Sequence, residues 1–211
     1  MLAAGLLVTT AGFDKEDFSL SDLKNYQREF QSESIGACTS SSVKTYEDYR
    51  MITVVGSAQY QHIHNEMTVD ETTGLLMDDD GFIGMALGYQ FGPIGSRYYV
   101  VLDTGIVIPV VKVDAKAESD VPNGCAVDGG SMLEFVIDED IAREYFGQGP
   151  SGLASFGNFN NYEYFKGNIV DVERVLDEPL EDGVTYQNNI QDVTKADEEV
   201  EAGKPLSEGF K

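Results

Sequence analysis

The chain has 211 residues, 42% of them apolar, which suits one ordinary domain with extensions around a sizeable core. Its 14 Lys and Arg against 37 Asp and Glu leave a formal charge of −23. Such a charge repels nucleic-acid phosphates and anionic lipid surfaces over a Debye length of about 8–10 Å, so neither is expected as a direct partner. Eleven Tyr, eleven Phe, 22 Gly and no Trp point to strands and turns, hence a mainly β fold.

Residues 1–12 are apolar and small, lack basic residues and are too short to cross a bilayer. They read as an export remnant, a hydrophobic arm or a strand for a partner. A helix is expected over 14–32, with Asp14, Glu16 and Asp17 early and Phe18, Leu20, Leu23, Tyr26, Gln27 and Phe30 near one face. A polar loop over 32–42 follows. Met51-Ile52-Thr53-Val54-Val55 reads as a buried strand, and 57–64 as either a strand or a short helix.

Residues 68–77 read as a hairpin around Gly74, Asp78-Asp79-Asp80-Gly81 as a tight acidic turn, and 82–88 as an interior strand. The strongest strand patterns are 97–102, 106–113 and 132–137, the first two joined by Asp103-Thr104-Gly105. The aromatic stretch 147–165, with Phe156, Phe159, Tyr162, Tyr164 and Phe165, is expected to be irregular and to serve packing or an interface, and 166–176 to be a closing strand. From Asp177 onward the chain is acidic and poor in large apolar groups. The expected layout is therefore an N-terminal segment and helix (1–37), a β-barrel domain (38–176) and an acidic tail (177–211).

Cys38 and Cys125 lie in no metal-binding spacing; they form one long-loop disulfide or remain two thiols. His62 and His64 would share one face of a strand but lack a third ligand, and the Asp78–Asp80 run lacks the oxygen spacing of a calcium loop. No metal and no cofactor is expected.

Pro93-Ile94-Gly95-Ser96, opening the strand Arg97-Tyr98-Tyr99-Val100-Val101, is similar to the turn and strand of double-psi β-barrel domains in cell-wall enzymes. The stretch from Gly81 to Asp138 thus resembles the lytic transglycosylase A and three-aspartate group. Residues 38–176 as a whole look like a family of uncharacterised proteins from Gram-positive bacteria and their phages. Carrying that likeness are Lys44-Thr45-Tyr46-Glu47-Asp48-Tyr49, Ser57-Ala58-Gln59-Tyr60, the stretch from Gly92 to Tyr98, Lys116-Ala117-Glu118-Ser119-Asp120, and the stretch from Ser131 to Asp138.

The resemblance implies a small six-stranded double-psi-like barrel. In that group one strand ends in Asp-Thr-Gly-Gly and a second Asp follows; here Val113-Asp114-Ala115-Lys116 stands at the first place and Glu134 at the second. Asp-Thr-Gly-Gly itself is absent, since Asp103-Thr104-Gly105 falls in the preceding hairpin.

Cleavage of a glycan without water needs a carboxyl that gives a proton to the glycosidic oxygen and takes one from a sugar hydroxyl. Asp114 or Asp120 is the candidate acid/base, Glu134 its support, and Tyr98 and Tyr99 the candidate substrate-binding pair. The implied partner is the glycan strand of peptidoglycan, at an extracellular, wall-associated or virion location. The alternative is a non-catalytic virion or cell-surface component that binds protein partners through the same scaffold, as an oligomer or alone.

Overall fold

The computed structural model describes residues 19–127, 130–147 and 158–179, with side chains through Leu176. The N-terminal apolar segment, the start of the expected helix, Phe156 and the acidic tail beyond Pro179 lie outside them. Among the described residues nine strands form one mixed, open sheet. The expectation of a mainly β chain holds, with nine strands in place of six.

The sheet is built on β6 (Arg97–Leu102) and β7 (Val107–Ala115), an antiparallel hairpin whose turn closes through Gly105 N–H donating to the Leu102 carbonyl. Gly105 holds φ +85°, a region glycine enters without a Cβ clash. Residues 98–102 and 107–111 within them are continuous apolar runs because both faces are covered there. Tyr98, Val100 and Leu102 enter one core cluster while Tyr99 and Val101 enter the other, on the opposite face.

Outside this hairpin, β9 (Ile169–Pro179) pairs with β6, and β1 (Phe30–Ser34) covers β9. On the other side, β5 (Ile83–Leu87) runs parallel to β7, and β8 (Glu134–Ile137) lies antiparallel to β5. A short β2 (Thr45–Asp48) runs parallel to β8. The expected hairpin over 68–77 is present as β3 (Thr68–Val69) and β4 (Leu76–Met77), and β4 adds to β5.

Two helices flank the sheet. Ser57 caps α1 (Ala58–Glu66) by accepting from Tyr60 N–H, which settles 57–64 as helical. His62 and His64 then stand on opposing sides of the helix, not on one face of a strand. Asp138 caps α2 (Glu139–Phe146), whose Ala142 and Phe146 are buried. That helix was not anticipated, although Asp138 followed by Glu139 and Asp140 is an N-terminal signature.

Other expectations change as well. In place of a helix reaching residue 32, a short 3-10 helix at Leu20–Asn25 is fixed by a capping box of Ser19 and Asp22. It buries Leu20 and Leu23, and Phe30–Ser34 then joins the sheet edge, so the sheet begins before residue 38. Met51-Ile52-Thr53-Val54-Val55 is not a strand. Tyr49–Met51 forms a 3-10 turn capped by Asp48, leaving Met51, Val54 and Val55 exposed.

Phe159 and Phe165 are fully buried and meet Phe135, while Lys44, also buried, donates to the carbonyls of Ser42 and Gly167. The described part of the aromatic stretch, from residue 158, thus serves packing, held down by an amine with carbonyl partners. The acidic turn is committed to Arg97, which lies 2.7 Å from both Asp78 Oδ2 and Asp80 Oδ2.

Candidate active site

The register of four strands assembles the site. Ala86 on β5 is paired with Asp114 of β7 on one side and with Glu134 of β8 on the other, and Glu134 is paired in turn with Thr45 of β2. Directly paired residues share a face, so this row sets two carboxylates either side of an alanine, roughly 10 Å apart over two strand spacings. Small Ala86 and Thr45 leave the space between the acids unfilled. Alternation along β2 then brings Glu47 to the same face as Thr45, while Tyr46 turns away to meet Phe159 edge-on.

A bulge re-aims Asp114. Met85 pairs with Lys112, but the next residue, Ala86, pairs with Asp114, so Val113 is the extra residue on β7. Such an insertion bends the strand and changes which side chain faces a site. Val113 stays in the core, Asp114 reaches the open face, and Lys112 donates to the carbonyls of Gly88 and Gly92.

These residues line a cavity of about 300 Å³, which the loop after β7 completes with Lys116, Ala117, Asp120 and Val127. The loop is braced twice. Asn123 Oδ1 accepts from Cys125 and Ala126 N–H, and Cys125 is disulfide-bonded to Cys38 with Cα atoms 6.4 Å apart. The two cysteines, left open as thiols or a bridge from sequence, are a bridge.

The three acids singled out from sequence, Asp114, Asp120 and Glu134, all line this one cavity. Tyr98 and Tyr99 do not. Both are fully buried, Tyr98 donating to the Phe91 carbonyl and Tyr99 Oη accepting from the N–H groups of Glu29 and Phe30. The substrate-binding role expected for them is therefore corrected: as consecutive residues of a strand covered on both sides, each serves one core cluster.

Sequence reasoning missed Glu47. Its carboxyl is pushed up to about 8, first by burial, then by the adjacent Asp114 carboxylate and a hydrogen bond with it, and further by Glu134; Lys116 opposes the rise. Glu47 Oε1 is buried without a hydrogen-bond partner, whereas a protonated Glu47 can donate to Asp114. Burial and the neighbouring carboxylates thus favour the protonated form of Glu47.

Opposite them, Lys116 Nζ lies 3.0 Å from Glu134 Oε2. A proton donor, a carboxylate beside it and a salt-bridged anion in one open cavity can perform general acid/base chemistry. Among the described residues no group of three or more His, Cys, Asp or Glu is spaced to hold a metal ion, and no helix is long and apolar enough to cross a membrane.

No protein-family model matches the chain, and neither a curated protein nor a solved structure matches it.

Proposed function

We propose that this protein cleaves the glycan strands of peptidoglycan, with Glu47 as the acid/base and Asp114 beside it in a transglycosylase-type reaction on a double-psi-like barrel. The observation that carries the reading is the cavity of about 300 Å³ in which Glu47, its carboxyl raised first by burial and then by Asp114, is gathered with Asp114, Asp120 and Glu134. An acid that keeps its proton near neutral pH yet reaches solvent is suited to general acid catalysis. Two parallel pairings between strands distant in sequence, β2 with β8 and β5 with β7, support the barrel assignment.

In this mechanism the glycosidic C–O bond breaks as its oxygen takes the Glu47 proton. A hydroxyl of the same sugar then bonds to the freed anomeric carbon and returns its proton to Glu47, leaving an anhydro-sugar end and no water consumed. Asp114 holds Glu47 in its proton-donating orientation, Glu134 offers negative charge to the oxocarbenium-like transition state, and Asp120 lines the approach.

The test is incubation of purified peptidoglycan with wild type, Glu47→Gln and Asp114→Asn, scoring anhydro-sugar products. Wild type is expected to release them, with a loss of about 100-fold or more in Glu47→Gln. Absence of products from every wall fraction would leave the non-catalytic scaffold reading in its place.

A further inference from the structure

We propose that Lys116 is a positioning residue of this cavity: its ammonium holds the Glu134 carboxylate as a fixed anion facing the Glu47/Asp114 pair. The proposal rests on the acid/base reading above and adds to it a division of labour among the acids. Proton traffic is confined to Glu47 and Asp114, while Glu134 is reserved for charge stabilisation.

The geometry of Lys116 is that of a built element. Its side chain is 4% exposed, its Nζ lies 3.0 Å from Glu134 Oε2, and its backbone N–H donates to the Leu87 carbonyl at the end of β5. An ammonium taken out of water is costly unless a partner compensates it, so a lysine in this setting is committed to its carboxylate. Glu134 remains 26% exposed, open to the cavity on its other side.

Charge accounting around Glu47 points the same way. Facing it are Asp114 from β7, Glu134 from β8, Asp120 from the loop after β7, and Lys116; β5 contributes uncharged Ala86. Lys116 is thus the sole cation among the lining residues, against four carboxylates counting Glu47 itself. The nearby Lys112 does not share this work, because its ammonium is engaged by the carbonyls of Gly88 and Gly92. Without Lys116 the carboxylates facing Glu47 would lose the cation that offsets them, and Glu134 would lose the partner that holds it in place.

The experiment is a pH titration of the full chain carrying ¹³C-carboxyl-labelled glutamate, read at Glu47, in wild type, Lys116→Met and Lys116→Arg. It is paired with pH–rate profiles on peptidoglycan. Lys116→Met is expected to raise the Glu47 midpoint by about one pH unit or more and to carry the basic limb of the rate profile up with it. Lys116→Arg, which keeps the charge, is expected to restore both.

A purely structural lysine would lower the rate equally at every pH and leave the Glu47 midpoint in place, and that result overturns the proposal. Lys116→Gln, which keeps a donor to Glu134 without the charge, replaces the methionine variant should that one fail to fold. The titration needs no turnover, so the two readings fail separately. A shifted midpoint in a protein that cleaves nothing upholds the Lys116 assignment and sinks the glycan-cleaving one. Cleavage lost in Glu47→Gln with an unmoved midpoint in Lys116→Met does the reverse.

Discussion

Glu47 shows what burying a carboxyl beside other carboxylates costs a fold. Its folded-state value of about 8 stands above the ordinary 4.5, so between those limits the native chain binds a proton that the unfolded chain has released. Stability from this group is therefore fully present below about pH 4.5 and is lost as pH rises through about 8. Glu47→Gln keeps a donor for Asp114 without the ionisable group. We expect its thermal midpoint to pull ahead of wild type progressively from about pH 4.5 to 8 and to stay level above that. After allowance for partial solvent exposure, the gain is about 1–2 kcal/mol. Parallel melting curves across that range check it, and a constant gap at all pH values would mean that Glu47 is not the titrating group. Under the proposed function, a variant that is more stable yet loses cleavage is the expected outcome.

At the scale of elements, the end of β5 fixes the loop that closes the cavity. A Cβ on Gly88 would run into the Gly124 carbonyl oxygen, which already accepts from Gln90 N–H, so strand and loop meet with room for glycine alone. Gly88→Ala is expected to cost about 1–3 kcal/mol by overpacking and to push the loop bearing Asp120 away from Glu134. Gly56→Ala, where nothing lies within 4 Å of the added carbon, is the control expected to change little. Urea midpoints of the two variants decide the matter. The same elements explain what could be read from the sequence. Runs such as 98–102 and Ile83–Leu87 announce themselves because strands buried on both faces must be continuously apolar. Asp114, Asp120 and Glu134 were legible through their place after or on such runs. Glu47 was not, since its meaning comes from Asp114, 67 residues away, brought near by a parallel pairing and a bulge that leave no local pattern. Met51 to Val55 misled for the complementary reason: a short apolar run looks the same whether tertiary structure buries it or a capped turn leaves it outside.

Across the whole molecule, one covalent link joins the parts that the site needs. Cys38 stands ahead of β2, which brings Glu47, and Cys125 stands in the loop that brings Asp120 and Val127, the two cysteines standing 87 positions apart in the sequence. Closing a loop of that length removes conformational freedom chiefly from the unfolded chain, by about 4–5 kcal/mol in the chain-entropy account. That is a large share of a net stability of about 5–15 kcal/mol, in a chain whose charge of −23 already works against compaction. The double variant Cys38→Ser, Cys125→Ser is therefore expected to unfold at a denaturant midpoint reduced by a third or more. Added salt should recover part of that loss by screening the acidic surface. The cavity should suffer before the sheet does. The core strands β5, β6 and β7 are held by backbone pairing and two apolar clusters. The loop after β7, by contrast, lacks such strand pairing over 117–127: besides the bridge it is held by turn hydrogen bonds, the Asn123 side chain, the Gln90 N–H on the Gly124 carbonyl and the packing of Cys125 and Ala126. Hydrogen exchange on the reduced wild type resolves the order: amides of 117–127 should lose protection at denaturant concentrations where β6 and β7 remain protected. Simultaneous loss in loop and sheet would instead make the disulfide a support of the entire fold, and the acid cavity no more dependent on it than the core.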